Sequence, residues 1–434
     1  MSGIAEVLLN LGYSVSGSDL KLTGITRRLS SLGARIEQGH RAARVHGAGV
    51  VVTSSAVRPE NLEVREAKRR GIPVIPRIEM LAELAHLKKT VTISGTHGKT
   101  TTTSMVAMAL KAVGADPTVI VGGKLKNIRS NAELGKGKYL VAELDESDGS
   151  ILKLTPLVSI VTNIDNDHLD YYGSMEKLKE AFLSHFSRIP FYGTAVLCAD
   201  DPVLRSLFPK MTAPKLTYGF RKGVDWQIRN LRMQEKGSRF DVYYQGAKKG
   251  SVHLKVSGRH NVLNAAAAIA CGDFLGFKVP PLARGLFRFQ GVGRRMELIG
   301  ETRGVRFMDD YGHHPTEIRA TLEAVSKLWN FKRLMVIFQP HRFSRTKMLQ
   351  HEFGPAFKVA DRVYVMNIYP ANEKPLPGIT SDLILKSLKK ARVEAVPFTG
   401  TVDLARDLRS GDLVLTQGAG DVWRVAEDLK RRLT

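Results

Sequence analysis

An α/β protein in three blocks is what this sequence predicts, on three observations. Short apolar strands alternate with amphipathic helices along most of the chain, the pattern of parallel sheets. One such strand, Val91-Thr92-Ile93-Ser94, runs into a glycine-rich stretch and then a helical pattern. Residues 226–257 alone alternate in short runs split by Glu235-Lys236-Gly237 and Gln245-Gly246, as antiparallel hairpins do.

The first block, residues 1–86, opens on the apolar helix pattern Ile4–Leu11, which Gly12 should end as a C-cap. Strands are expected at Tyr13–Asp19, Arg35–Glu37 and Gly49–Ser55, and a helix around Leu62–Arg70. The second block, 87–293, continues with strands at Tyr139–Glu143, Val158–Asn163 and Thr194–Cys198, and closes on the alanine-rich helix Val262–Ala270. The third block, 294–434, places strands at Val305–Met308, Arg333–Phe338, Arg362–Met366 and Asp412–Thr416. It reads as a second open sheet, with ligands expected at the carboxyl ends of its strands.

Composition sets the outer bounds. At 434 residues, 43% hydrophobic and 25% charged, the chain can fill several globular cores. It holds no run near the ~20 apolar residues that cross a bilayer. Glu6 interrupts the apolar N-terminal stretch, no basic segment precedes it, and no signal peptide is expected. Cys198 and Cys271 sit in apolar surroundings, as free thiols do in a reducing cytoplasm. The net charge of +23 raises nucleic acid as a partner. Its basic residues are scattered, however, as in Lys68-Arg69-Arg70 and Lys430-Arg431-Arg432, without a basic tail or interleaved aromatics. Nucleic acid is therefore not the expected partner.

The chemistry concentrates in Gly95-Thr96-His97-Gly98-Lys99-Thr100-Thr101-Thr102-Thr103-Ser104, read as a loop before the helix pattern Met105–Leu110. Strand, glycine loop and helix form an anion cradle, with backbone N–H groups aimed at phosphate oxygens. Lys99 would reach terminal phosphates and the Thr100 hydroxyl would sit on Mg²⁺. A full Walker loop needs glycine where this chain has Ile93, so the loop is a shortened variant. Two polar clusters follow later strands: Glu143-Leu144-Asp145-Glu146-Ser147-Asp148 and Asn163-Ile164-Asp165-Asn166-Asp167-His168-Leu169-Asp170. Crowded carboxylates beside a histidine call for cations, and a second metal would relieve the repulsion; solvated acidic turns are the plainer alternative. His260 and Asn264 share one face of a helix that, read alone, is a packing helix.

In the third block Asp309-Asp310-Tyr311-Gly312-His313-His314-Pro315-Thr316-Glu317 follows a strand, with a capping box on Thr316 as a competing use. Gln339-Pro340-His341-Arg342-Phe343-Ser344-Arg345 also follows a strand, and its two arginines could fork onto a carboxylate or form a solvated basic turn. Gly418-Ala419-Gly420-Asp421 reads as a tight turn.

Taken together with Gly293-Arg294-Arg295, and in this order along nearly the whole chain, these motifs resemble the Mur ligase family. Tyr311–Glu317 is more similar to the alanine-adding members than to those that recycle murein tripeptide. The resemblance implies three domains: a Rossmann-like domain at 1–86 for a UDP-sugar, a central ATP-binding domain of P-loop type at 87–293, and a Rossmann-like amino-acid domain at 294–434 that closes over the others. It implies ligation of L-alanine to the carboxylate of UDP-N-acetylmuramate through an acyl phosphate, with ATP and two Mg²⁺ ions, in the cytoplasm, by a monomer or homodimer.

By matching positions, the resemblance gives Gly95, Thr96, His97, Gly98, Lys99, Thr100 and Thr101 to the ATP phosphates. Thr100 goes to the first magnesium, with Glu143 and His168 holding the second, and His260, Asn264 and Arg295 to the nucleotide. Tyr311, His341, Arg342 and Arg345 fall on the alanine side, Arg345 for its carboxylate, while Asp19, Ser54 and Ser55 fall near the UDP moiety. The family begins with a strand and a glycine-rich loop ahead of the helix that here follows Met1, so that element and its diphosphate contacts are expected to be missing, leaving two strand edges exposed. Other readings stay open: a related ligase for another amino acid or peptide, a nucleic-acid-binding P-loop ATPase, or a nucleotide-binding remnant without ligase activity.

Overall fold

The computed structural model describes residues 1–54, 56–121, 132–145, 150–166, 169–235, 237–371 and 373–434. Ser55, Glu146, Ser147, Asp148, Asp167 and His168, all singled out above, lie outside the described residues. By spatial contact the chain divides into two compact units. One comprises Met1–Leu231, Arg239–Leu254 and Asn261–Gln290; the other comprises Arg232–Ser238, Lys255–His260 and Gly291–Thr434.

The first unit opens with the helix Ser2–Asn10. Gly12 ends it in a left-handed conformation (φ +88°), where Tyr13 N–H reaches the Leu8 carbonyl at 3.0 Å and Gly12 N–H the Leu9 carbonyl at 2.9 Å. These two bonds satisfy carbonyls that the helix end would otherwise leave bare. Ile4 and Val7 pack into one core with Ile78, Leu81, Leu140 and Ala142. The four following strands pair in parallel as two separate ribbons, Ser16–Asp19 with Arg35–Gln38 and Val51–Thr53 with Val74–Pro76.

Among the described residues ten strands form the main sheet, in the order Ala247–Leu254, Gly237–Tyr244, Trp226–Gln234, Lys215–Gly219, Thr194–Cys198, Val158–Val161, Lys89–Ser94, Tyr139–Glu143, Thr118–Ile120, Ala132–Glu133. The middle strands are parallel and nearly continuous in buried apolar residues, because helices cover both faces. The predicted hairpins are the first-named edge at Trp226–Leu254, where connections of two residues permit only antiparallel pairing. Lys89–Ser94 lies between Val158–Val161 and Tyr139–Glu143, with Ile93 opposite Glu143 and Ser94 opposite Val161. This register delivers Gly95, Asp145 and Thr162 to the same edge of the sheet.

One expectation needs correcting. Lys99–Ser104 are the first turns of a helix, Lys99–Ala112, and not part of the loop. The run of hydroxyls is compatible with helix because Thr103 Oγ1 donates to the Lys99 carbonyl at 2.9 Å and Ser104 Oγ to that of Thr100 at 2.5 Å. The alanine-rich helix is likewise longer than expected, Arg259–Phe274.

The second unit holds a six-stranded sheet in the order Glu297–Thr302, Val305–Asp310, Asp412–Gln417, Arg333–Phe338, Arg362–Val365, Ala395–Pro397. Only the first pair is antiparallel. Strand alternation divides its core in two: Leu334, Val336, Phe338, Leu413 and Leu415 face one side, Met335, Ile337, Phe307 and Val414 the other. Asp310 and Phe338 both register with Gln417, so three strands end level.

Both cysteines are buried and free, and burial pushes Cys198 up to about 11 and Cys271 up to about 12. His185 is a buried core histidine. Its Nδ1–H donates to the Ile151 carbonyl at 2.7 Å, which leaves Nε2 to accept from Ser159 Oγ at 2.8 Å. Burial pushes it down to about 4 from an ordinary 6.5. Below pH 6.5 the unfolded chain binds a proton that the folded chain refuses, so stability falls with pH, by about 3 kcal/mol at pH 4. Urea midpoints between pH 7.5 and 5 should therefore fall more steeply in the wild type than in His185→Gln; parallel falls would contradict this.

Candidate active site

The strand Lys89–Ser94 ends at Gly95 in a left-handed conformation (φ +115°). A Cβ there would lie 2.5 Å from Thr162 Oγ1 and 2.8 Å from the Asn163 carbonyl, so glycine is required by both backbone and space. Gly98, also left-handed (φ +81°), is the N-cap of the helix Lys99–Ala112. Its Cα faces Asn264, whose Oδ1 would be 3.0 Å from an added Cβ. The helix begins with N–H groups that have no intrahelical acceptor, beside the positive end of its dipole.

Around this turn the predicted residues gather. Thr100 Oγ1 donates to Glu143, whose two oxygens lie 3.0 and 3.1 Å away. Lys99 Nζ lies 3.9 Å from Asp145 and 3.5 Å from the Thr96 carbonyl. His97 Nε2 meets Asp165 at 2.9 Å. Thr101 is buried within the helix, and Asn264 is 5% exposed against the loop. His260 begins its helix with an exposed side chain. Missed as loop partners were Thr162, Asn163 and Asp165; only their place one strand over, at the level of the loop, marks them.

The second unit carries its polar residues where its strands end. Asp310 accepts at once from Met296 N at 2.9 Å, Gly312 N at 2.8 Å and Thr321 Oγ1 at 3.2 Å. Asp309 is held by Arg294 Nε at 2.8 Å and Thr416 Oγ1 at 2.7 Å; burial pushes its carboxyl up, and Arg294 opposes this. Arg294 also donates to the carbonyls of Gly418 and Gly420 at 2.6 and 2.9 Å, tying that turn to the cluster. The Tyr311 ring lies 5.2 Å from the Arg294 guanidinium and 5.1 Å from that of Arg295. Arg295 also approaches Glu317 at 3.5 Å.

The capping box of the helix Pro315–Leu328 is centred on His314, not Thr316. His314 Nδ1 accepts from Thr316 N at 3.3 Å, and Glu317 reaches back to His314 N at 3.4 Å. Pro315 at the first helical position moves the cap two residues earlier.

Arg345 is 6% exposed and donates to His341 Nδ1 at 3.2 Å. His341 stacks on Tyr369 (5.7 Å, 9°) and lies 5.3 Å from the His313 ring. Arg342 has φ +70°, an uncommon conformation for a large residue, held by its N–H to the Tyr369 carbonyl at 2.8 Å and Thr346 Oγ1 to its own carbonyl at 2.8 Å. In the first block Asp19 is exposed at a strand end, its carboxylate accepting from Lys21 N at 3.1 Å. Ser54 is half-buried and accepts from Val57 N at 3.0 Å. Beside Asp19 an unforeseen cluster joins Ser18 to His40 at 2.8 Å and Glu63 at 2.7 Å.

A glycine turn feeding a helix, with an ammonium, a hydroxyl and a carboxylate around it, defines a nucleotide-binding α/β protein. Comparison with known proteins makes this specific. Family models match as Mur ligase family, catalytic domain, at residues 1–89, Mur ligase middle domain at 93–272, and Mur ligase, glutamate ligase domain, at 294–420. The chain is 52% identical over 429 residues to a UDP-N-acetylmuramate--L-alanine ligase of Endomicrobium trichonymphae, covering 99% of this chain and 95% of that one. It is 48% identical over 439 residues to the protein of that name in Geobacter sulfurreducens, covering 100% and 95%. The crystal structure of the Thermotoga maritima UDP-N-acetylmuramate-alanine ligase superposes with a TM-score of 0.82 at 31% identity, covering 100% of this chain and 96% of that one. The chain belongs to the Mur ligase family.

Gly95→Ala should cost about 2 kcal/mol or more, from strain plus collision. Urea unfolding measures it; an unchanged midpoint would show that the loop has another conformation.

Proposed function

We infer that this chain is an ATP-dependent ligase that joins L-alanine to the lactyl carboxylate of UDP-N-acetylmuramate, a step of peptidoglycan precursor synthesis. Near-full-length identity to relatives of that name supports it. The observation that carries the chemistry is Lys99 and the Thr100–Glu143 pair at the helix N-terminus.

The carboxylate and the triphosphate are both anions, so they react only where protein charge screens them. A carboxylate oxygen takes the γ-phosphoryl group as its bond to ADP breaks. The alanine nitrogen then bonds to the acyl carbon and loses a proton, and the carbon–oxygen bond to phosphate breaks. Lys99 and the N–H groups of the first helical turn bind the triphosphate oxygens. The Thr100 hydroxyl and the Glu143 carboxylate are hard oxygen donors only 3.0 Å apart, a set that suits Mg²⁺. Mg²⁺ bound there would neutralise phosphate charge, and we assign His168 to a second ion. Asn264, His260 and Arg295 are our candidates for contacts with the nucleotide.

Arg345, buried beside His341, is our candidate for the alanine carboxylate, and we give Arg342 and Tyr311 to the same substrate. We give the UDP-sugar to residues 1–86 with Asp19, Ser54 and Ser55, ATP to 87–293 and alanine to 294–434. Among the described residues no helix is long and apolar enough to cross a membrane. ATP and a UDP-sugar are both intracellular metabolites, so we place the enzyme in the cytoplasm, as a monomer or homodimer.

Phosphate release with UDP-N-acetylmuramate should depend on L-alanine and exceed that with L-serine or glycine. Absence of any amino-acid-dependent release would overturn the reading. Lys99→Ala should lower kcat/KM by roughly 10²–10³. Arg345→Lys should raise the KM for alanine about tenfold, since an ammonium cannot fork onto a carboxylate, and leave that for ATP unchanged. Equal effects on both would remove Arg345 from the alanine site.

A further inference from the structure

We propose that Thr162 and Asn163 are positioning residues for ATP, acting as an external brace on a phosphate loop too short to brace itself. The proposal rests on reading that loop as the ATP site. A full Walker loop has additional residues between its first glycine and the lysine, and they wrap the phosphates with the loop's own backbone. Here Ile93 occupies the position of that glycine, still inside the strand Lys89–Ser94, and only Gly95–Gly98 turn the corner.

What the loop lacks in length, the end of the neighbouring strand supplies. The Asn163 carboxamide pairs with both peptide groups of His97, as a second strand would. Its Oδ1 accepts from His97 N at 2.8 Å, and its Nδ2 donates to the His97 carbonyl at 3.0 Å. Thr162 Oγ1 donates to that same carbonyl at 2.6 Å. The Asn163 carbonyl accepts from Thr96 N at 3.2 Å, and Asp165 N donates to Thr96 Oγ1 at 2.9 Å. Thr96 N and both peptide groups of His97 are thus spent sideways, on Thr162 and Asn163. Gly98 is left at the N-cap, and the outward N–H groups of the first helical turn are held at a fixed angle.

Close approach seals the arrangement, since only glycine at 95 lets Thr162 come so near. A primary amide donates and accepts through two separate atoms, which lets Asn163 hold both peptide groups of His97 at once, and glutamine would be one methylene too long. A residue that only filled space would need neither the amide nor the hydroxyl.

The test uses the full-length enzyme and measures ATP affinity and UDP-N-acetylmuramate affinity separately, by calorimetry, beside the unfolding temperature. Asn163→Leu keeps the size and loses both hydrogen bonds; Thr162→Val keeps the shape and loses the hydroxyl; Thr162→Ser keeps the hydroxyl. ATP affinity should fall about tenfold in the first two and stay near wild type in the third, with UDP-N-acetylmuramate affinity unchanged in all. Unchanged ATP affinity in both Asn163→Leu and Thr162→Val overturns the proposal. So does a parallel loss of both ligands with a lowered unfolding temperature, or an equal loss in Thr162→Ser and Thr162→Val. Because the readout is binding, it stays separate from the activity: a wild type that binds ATP without alanine-dependent turnover would sink the ligase reading and leave the brace standing.

Discussion

Everything at the candidate nucleotide site depends on the parallel, in-register pairing of Lys89–Ser94 with a strand on each side. Parallel strands send their carboxyl ends to one edge, and matched register sends them there at one level. Glycine loop, acidic strand end and the Thr162–Asp165 segment therefore meet without any long excursion of the chain. A slip of one residue would turn Glu143 to the opposite face and break its contact with Thr100. Hydrophobic burial enforces the register: Val91 and Ile93 are fully enclosed, as are Val141, Val158 and Ile160 beside them. Core packing and active-site geometry are in this sense one requirement.

The second unit repeats the principle with different chemistry. Asp310, Gln417 and Phe338 end level, and the polar residues that follow them are knitted together before any ligand arrives. Arg294 is the knot, joining Asp309 to the turn Gly418–Gly420 through three separate bonds. A buried carboxylate that must stay charged needs such a partner, and removing the guanidinium would strand it. Arg345 is more deeply buried than Arg294 and donates to His341 Nδ1.

Periodicity made most strands legible. Tyr139–Glu143, Thr194–Cys198 and Arg333–Phe338 run where their apolar patterns place them, since buried parallel strands leave little choice of residue. Helix starts were harder. Lys99–Ser104 looked like loop because threonine and serine are poor helix formers on average, and only their back-bonded hydroxyls make the helix acceptable. His314 was passed over as a cap in favour of Thr316, because histidine is a rare cap and its ring nitrogen serves only once Pro315 has set the first turn. Motifs revealed Lys99, Thr100 and Glu143 together. The pairing of Asn163 with His97 was invisible, because it joins residues 66 apart through a register that only the folded sheet defines. The Ser18–His40–Glu63 cluster was hidden for the same reason.

We propose that this phosphate loop activates a carboxylate for attack by an amine. The most direct measurement starts from UDP-N-acetylmuramate labelled with ¹⁸O in its lactyl carboxylate, turned over with ATP and L-alanine, with mass analysis of the inorganic phosphate. Passage through an acyl phosphate leaves one carboxylate oxygen on the departing phosphate, so the account predicts a single ¹⁸O in each phosphate released. Unlabelled phosphate, released in step with product, would contradict it.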